Sequence, residues 1–179
     1  TRILQTEAGP ADAHRQGESM RAIRKIIIHC SATRPSRDIG AAEIRTWHVR
    51  DNGWSDIGYH GVIRRNGVLE SGRPMDVPGA HASGHNNDSI GICLVGGVAE
   101  DGTSPERNFT GPQWATLARV VRDLLRAHPG ATVHGHNEFA AKACPCFDVR
   151  DWWKSVEAME RSKGGANASA DGRNGGGGL

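Results

Sequence analysis

The chain has 179 residues, of which 37% are hydrophobic, so it can bury the core of one domain but hardly that of two. Its 22 basic and 20 acidic residues nearly balance, which argues against a nucleic-acid-binding protein, because such proteins normally carry a clustered basic face. It contains no run of about twenty apolar residues, so we expect no membrane insertion.

The two ends of the chain differ in composition from its middle. Residues 1–20 mix charged and small residues without apolar periodicity, and they lack the apolar centre of a secretory signal. We therefore expect a flexible extension there and synthesis in the cytoplasm without a signal peptide. Residues 163–179 are mostly Gly, Ala, Asn and Ser, which is typical of a disordered tail. The predicted working domain is 21–162.

The first strong element is a strand from Ile23 to His29, whose three consecutive isoleucines indicate a buried central position. It ends where His29 and Cys30 emerge, and strand ends in open sheets are where sites are built. Residues 41–51 carry apolar side chains at helical spacing until Asn52-Gly53 ends the helix.

The middle of the chain predicts a hairpin and a second buried strand. Short strands at 61–64 and 68–71 flank Asn66-Gly67, a dipeptide that tolerates positive φ in a tight turn. Ile90 to Val95 is apolar throughout and is closed by two glycines. A polar loop precedes it, and we predict that His81 and Asn86 from this loop, with His48 and His60, line a substrate groove.

The last third predicts two helices around a short strand. Thr110 and Gln113 match a capping box, and the apolar residues that follow recur at helical spacing. Residues 131–134 form the strand, and Asp148 caps the final helix. Strands interleaved with helices predict an α/β or α+β layered domain.

The segment from His134 to Cys146 packs two imidazoles, a lysine and two thiols into thirteen residues. Imidazole nitrogen and thiolate sulfur are the ligands that zinc prefers, and three protein ligands leave a position open for catalysis. Because His134 and His136 alternate along an extended segment, we expect them to point to opposite sides, so that only one of them serves a given metal without a bend. Cys144 and Cys146 pose the same choice, and His29 is the natural third ligand.

Four segments carry a family resemblance, which extends from about Arg24 to Trp153. They are Ile-His-Cys-Ser-Ala-Thr at 28–33, Trp-Ser-Asp-Ile-Gly-Tyr-His at 54–60, Asn-Asp-Ser-Ile-Gly-Ile-Cys-Leu-Val-Gly-Gly at 87–97 and His-Asn-Glu-Phe-Ala-Ala-Lys-Ala-Cys-Pro at 136–145. In this order they resemble the type 2 N-acetylmuramoyl-L-alanine amidases, most closely the amidase-type phage lysozymes (endolysins). Animal peptidoglycan recognition proteins share that fold.

The resemblance implies a single α/β domain with a central mixed β-sheet flanked by helices and a zinc site at the strand ends in a surface groove. It places one Zn²⁺ per chain on His29, His136 and Cys144, and it assigns catalytic roles to Tyr59 and Lys142. Tyr59 would hydrogen-bond the attacking water or the developing oxyanion, and Lys142 would supply positive charge to the tetrahedral intermediate. Where phage relatives often have a histidine and a serine, this chain has Asn137 and Cys146, so Cys146 and His134 remain rival ligands.

The activity implied is hydrolysis of the amide between N-acetylmuramic acid and L-alanine in bacterial peptidoglycan, used by a phage to lyse its host. Such a protein acts as a monomer on the cell wall after a separate protein has permeabilised the membrane, and some phage relatives also bind a polymerase. Two other functions stay open. One is a non-catalytic peptidoglycan-recognition module, and the other is a cell-wall peptidase that uses Cys144 or Cys146 as its nucleophile.

Overall fold

A five-stranded sheet organises the computed structural model, which describes residues 21–170. The strands lie in the order β3-β2-β4-β1-β5. Their bounds are Lys25–Cys30 (β1), Gly61–Ile63 (β2), Leu69–Ser71 (β3), Ser89–Leu94 (β4) and Thr132–Gly135 (β5). The α-helices are Ala41–Thr46 (α1), Gly111–Ala127 (α2) and Val149–Ala170 (α3).

The sheet is mixed, as predicted. β1 pairs in parallel with both β4 and β5, β2 pairs in parallel with β4, and only the edge strand β3 is antiparallel to its neighbour. The hairpin of β2 and β3 turns at Gly67, which has a φ of +86°. Because β1 lies between β4 and β5, the carboxyl ends of three parallel strands meet at one edge, where His29 emerges.

Side-chain alternation along β1 divides the core into two layers. Ile26 and Ile28 face one layer, together with Leu117 of α2 and Val149 of α3. The opposite layer is smaller and contains Ile44 of α1 among its buried residues. His29 follows Ile28 and therefore faces the second side of the sheet.

The helix starts agree with the predicted caps. The Thr110 side chain accepts a hydrogen bond from the backbone N–H of Gln113, which completes the capping box at the start of α2. Gln113 is fully buried, and its side-chain amide also donates to the carbonyls of Ile63 and Val95 at 3.1 and 2.9 Å. It thus links α2 to the ends of β2 and β4.

The remaining boundaries differ from the predictions by short stretches. The helix predicted over 41–51 is α-helical only to Thr46 and continues as a π-helical turn over Trp47–Asp51. At the C-terminus, α3 continues past residue 162 to Ala170, because adding a residue to an existing helix requires no new nucleus. The predicted extension at 1–20 and the rest of the predicted tail, 171–179, lie outside the described residues. None of the helices within 21–170 is long and apolar enough to cross a membrane.

Candidate metal centre and substrate groove

His29, His136 and Cys144 converge at the carboxyl edge of the sheet. The fold explains why: Ile28 of β1 pairs with Gly135 of β5, so the residues that follow each strand are neighbours. The three ligand atoms lie within 4.8 Å of one another, and Cys144 Sγ is 3.9 Å from Nδ1 of His29. Within residues 21–170 this is the one group of three His, Cys or acidic side chains close enough to share a metal ion.

The donor chemistry of this cluster suits zinc. Ligands around a tetrahedral zinc ion stand roughly 3.5 Å apart, close to the spacing found here. Burial, and then the neighbouring His81, His136 and Lys142, lower the pKa of His29 well below its ordinary value, so its imidazole is neutral and able to bind a metal. Burial and Lys142 also lower the pKa of His136. The backbone N–H of Cys30 donates a hydrogen bond to Cys144 Sγ at 3.2 Å, which holds the sulfur beside the end of β1.

His134 faces away from the cluster, toward α3. Its Nδ1 lies 2.9 Å from a Glu138 carboxylate oxygen, and Arg150 pairs with the same carboxylate at 2.6 Å. The expectation that only one of the two histidines reaches the site agrees with this geometry, but strand alternation is not the reason, because residues two apart in a strand share a face. The chain instead leaves β5 at Gly135 and enters a 3₁₀ turn at His136.

Cys146 also lies outside the cluster. Its thiol donates to the Gly97 carbonyl at 3.0 Å and lies 4.0 Å from Cys30 Sγ. Burial, reinforced by Cys30, raises the pKa of Cys146 to about 12. Cys146 is therefore a protonated thiol near neutral pH, which makes it a poor metal ligand and a poor nucleophile.

Tyr59 and Lys142 lie beside the cluster of His29, His136 and Cys144. The Tyr59 ring centroid is 5.1 Å from that of His29. Burial, followed by Cys93 and Cys144, raises the pKa of Tyr59 well above its ordinary value, so the phenol keeps its proton and can donate a hydrogen bond. Lys142 is exposed, and its charge contributes to the lowered pKa values of His29 and His136.

An open cavity of about 490 Å³ adjoins the cluster. His136 and Lys142 both line it, and so do His81 and Asn86, two of the four residues predicted for the groove. Trp54 and Phe139 add aromatic surface. Phe139 was not among the residues predicted to line the groove, although its position three residues after His136 could have placed it near the cluster. A larger cavity of about 640 Å³ lies between α2 and α3 and contains none of the three predicted ligands.

The other two groove candidates, His48 and His60, are not among the residues that line the cavity. Nδ1 of His48 accepts the backbone N–H of Gly58 at 2.9 Å, which holds the chain just before Tyr59. His60 is buried, and its Nδ1 accepts the backbone N–H of Gly91 at 3.0 Å. Burial, with the charges of nearby arginines, lowers the pKa of His60 to about 4.

These features define a mixed-sheet protein with a cluster of two histidines and one cysteine that could hold a metal ion beside an open cavity. The family model described as N-acetylmuramoyl-L-alanine amidase matches residues 19–147, and the chain belongs to this family. The resemblance seen in the sequence motifs is thereby confirmed.

Individual relatives agree with this membership. The chain is 45% identical over 139 residues to an endolysin of Escherichia phage T7, a match that covers 78% of this chain and 91% of the phage protein. It is 30% identical to peptidoglycan-recognition protein SC2 of Drosophila melanogaster, over 63% of this chain and 62% of the fly protein. Among solved structures, N-acetylmuramoyl-L-alanine amidase LysC from Clostridium intestinale URNW superposes with a TM-score of 0.64 at 25% identity, covering 78% of this chain and 86% of that one.

Proposed function

We propose that the protein is a zinc-dependent N-acetylmuramoyl-L-alanine amidase that hydrolyses the bond between N-acetylmuramic acid and L-alanine in bacterial peptidoglycan. The observation that carries this proposal is the convergence of His29, His136 and Cys144 beside an open cavity that Lys142 also lines. Family membership supports the reaction, and the donor set supports one Zn²⁺ per chain.

Zinc, when bound, acts as a Lewis acid toward the scissile carbonyl and makes water a better nucleophile near neutral pH. The residues around it have complementary tasks. The Lys142 ammonium stabilises the negative charge that develops on the carbonyl oxygen, and Tyr59 donates a hydrogen bond to an oxygen of the reacting group. Trp54 and Phe139 line the same cavity and offer flat aromatic surface to the sugar and stem peptide.

The phage relatives named as endolysins support a role in host lysis. In this role the protein is a monomer made in the host cytoplasm, and it reaches the wall once the membrane has been permeabilised. The contacts of Cys146 argue against a thiol peptidase that uses this residue, since its thiol is protonated and donates a hydrogen bond to a backbone carbonyl.

The test is digestion of purified peptidoglycan with analysis of the groups released. An amidase clears the suspension and exposes L-alanine amino groups without new reducing sugar ends, stops after treatment with a chelator, and recovers on addition of zinc. Activity that survives complete metal removal would indicate a thiol hydrolase. Binding to peptidoglycan without release of amino groups would indicate a recognition module.

A further inference from the structure

A chain of hydrogen bonds lies behind His29, on the side away from Cys144. Nε2 of His29 is 2.9 Å from Nδ1 of His81, and Nε2 of His81 is 3.3 Å from Ser89 Oγ. The Ser89 hydroxyl in turn donates to the backbone carbonyl of His85 at 2.7 Å.

This arrangement fixes which atom is the donor and which the acceptor in each of these hydrogen bonds. Because the hydroxyl hydrogen of Ser89 is used on the His85 carbonyl, Ser89 Oγ accepts from Nε2–H of His81. Nδ1 of His81 is then an acceptor, so Nε2 of His29 is the donor. The free lone pair of His29 is left on Nδ1, the nitrogen that lies 3.9 Å from Cys144 Sγ.

The surroundings of His81 hold its ring in place. His81 is only 8% exposed, and its backbone N–H donates to Oδ1 of Asn86 at 2.9 Å. Two glycines lie directly against the ring: an added Cβ on Gly91 would come within 2.6 Å of His81 Cγ, and one on Gly79 within 2.5 Å of its Cδ2. Any larger residue at either position would displace the ring, so the close approach depends on glycine.

We propose that His81 is a positioning residue for the metal, and that it holds His29 in the tautomer and orientation in which Nδ1 binds zinc. This differs from the groove role predicted from the sequence, because the side chain acts through His29 and not through substrate. The inference rests on the proposed zinc dependence. Partners of this kind fix the ring orientation of a metal-binding histidine, and their loss typically weakens metal binding about 10- to 100-fold.

The direct test is the zinc dissociation constant, measured by competition with a chromophoric chelator. His81→Leu removes the acceptor and should weaken zinc binding about 10- to 100-fold. His81→Asn places an amide oxygen near the position of Nδ1 and should restore most of the affinity. Ser89→Ala keeps the histidine but removes the partner that sets its tautomer, so a smaller loss is expected. The absorption spectrum of the Co²⁺-substituted protein should change for His81→Leu and be close to that of the parent for His81→Asn.

His60→Asn is the matched control. His60 is another buried histidine, with its ring centroid 5.6 Å from that of His81, but it bonds to the backbone of Gly91 and Val77 instead of His29. Its replacement should leave zinc affinity within a few-fold of the parent. A loss as large as that of His81→Leu would show that packing in this region, and not the bond to His29, sets the affinity.

The outcomes separate this inference from the proposed function. A parent protein that binds no zinc contradicts the zinc dependence itself. A parent that binds zinc tightly, with His81→Leu equally tight, overturns only the positioning role. At saturating zinc, a KM for a soluble muropeptide that stays parental in His81→Leu supports positioning, whereas a raised KM at parental zinc affinity would assign His81 to substrate. If His81→Leu does not fold, His81→Asn and Ser89→Ala decide through the same affinity measurement.

Discussion

Replacing Cys144 by alanine should remove zinc and activity together, whereas replacing Cys146 by serine should preserve both. Cys144 supplies one of three convergent ligand atoms, 3.9 Å from the nearest nitrogen of His29. Losing a direct ligand should cost more than losing a supporting partner, so we expect zinc affinity to fall at least about 100-fold, or about 2.8 kcal/mol. Cys146 donates only to the Gly97 carbonyl, a bond that a serine hydroxyl can also make.

The assay measures zinc content and peptidoglycan clearing on the same preparations of parent, Cys144→Ala and Cys146→Ser. Circular dichroism of each variant checks that it is folded. Zinc retained by Cys144→Ala and lost by Cys146→Ser would refute the ligand assignment, since it would show that the rival thiol holds the metal. Clearing by Cys144→Ala without bound zinc would refute the metal-dependent mechanism.

Three further outcomes follow from the geometry. Lys142→Met should lower kcat about 10²- to 10³-fold at unchanged zinc content, because it removes one donor to the developing oxyanion. Gln113→Leu should destabilise the fold by roughly 1 to 3 kcal/mol in urea unfolding, because it removes the acceptor of the Thr110 backbone N–H and one donor to each of the Ile63 and Val95 carbonyls. His60→Asn should flatten the pH dependence of stability below about pH 6.5. The folded-state pKa of His60, about 4, lies below its ordinary value of 6.5. The neutral His60 therefore makes its full contribution to the free energy of unfolding above pH 6.5. This contribution declines as the pH falls toward 4, by up to about 1.4 kcal/mol per pH unit.

Each of these outcomes has a matched comparison. Lys142→Arg retains the positive charge and should keep more activity than Lys142→Met; equal activity of the parent and Lys142→Met would remove the lysine from the mechanism. Gln113→Glu at low pH, where its side chain is a neutral acid, keeps the acceptor and one donor, so it should be less destabilised than Gln113→Leu. A parent and a His60→Asn protein with the same pH slope between 6.5 and 4 would show that His60 titrates normally in the folded state.

The convergence of His29, His136 and Cys144 could be predicted from sequence because each residue lies in a strong local pattern. His29 follows three consecutive isoleucines, and that run indicates a central strand whose end carries a site. His136 and Cys144 lie together in one short segment. The choice of His136 over His134 was predicted as well, but its physical cause was not, since it depends on where β5 ends and the 3₁₀ turn begins.

Contacts between distant segments could not be predicted in this way. His81 meets His29 across 52 positions of sequence, and the contact depends on how the loop before β4 packs against glycine. Gln113 was recognised as a capping residue, yet its bonds to two strand carbonyls depend on the placement of α2 over the sheet. In both cases the residue type permits several partners, and only the tertiary arrangement selects one.

The ligands that meet at the carboxyl edge of the sheet come from opposite ends of the domain, with His29 and Cys144 separated by 115 positions in the chain. An ion held between them joins the first strand to the loop before the last helix, and an unfolded chain offers no such preformed site. Folding and metal occupancy are then linked by mass action: free zinc at a thousand times its dissociation constant adds about 4.1 kcal/mol to the free energy of unfolding. The free energy of unfolding of the enzyme would thus depend on the free zinc concentration of its surroundings as well as on the packing of its core.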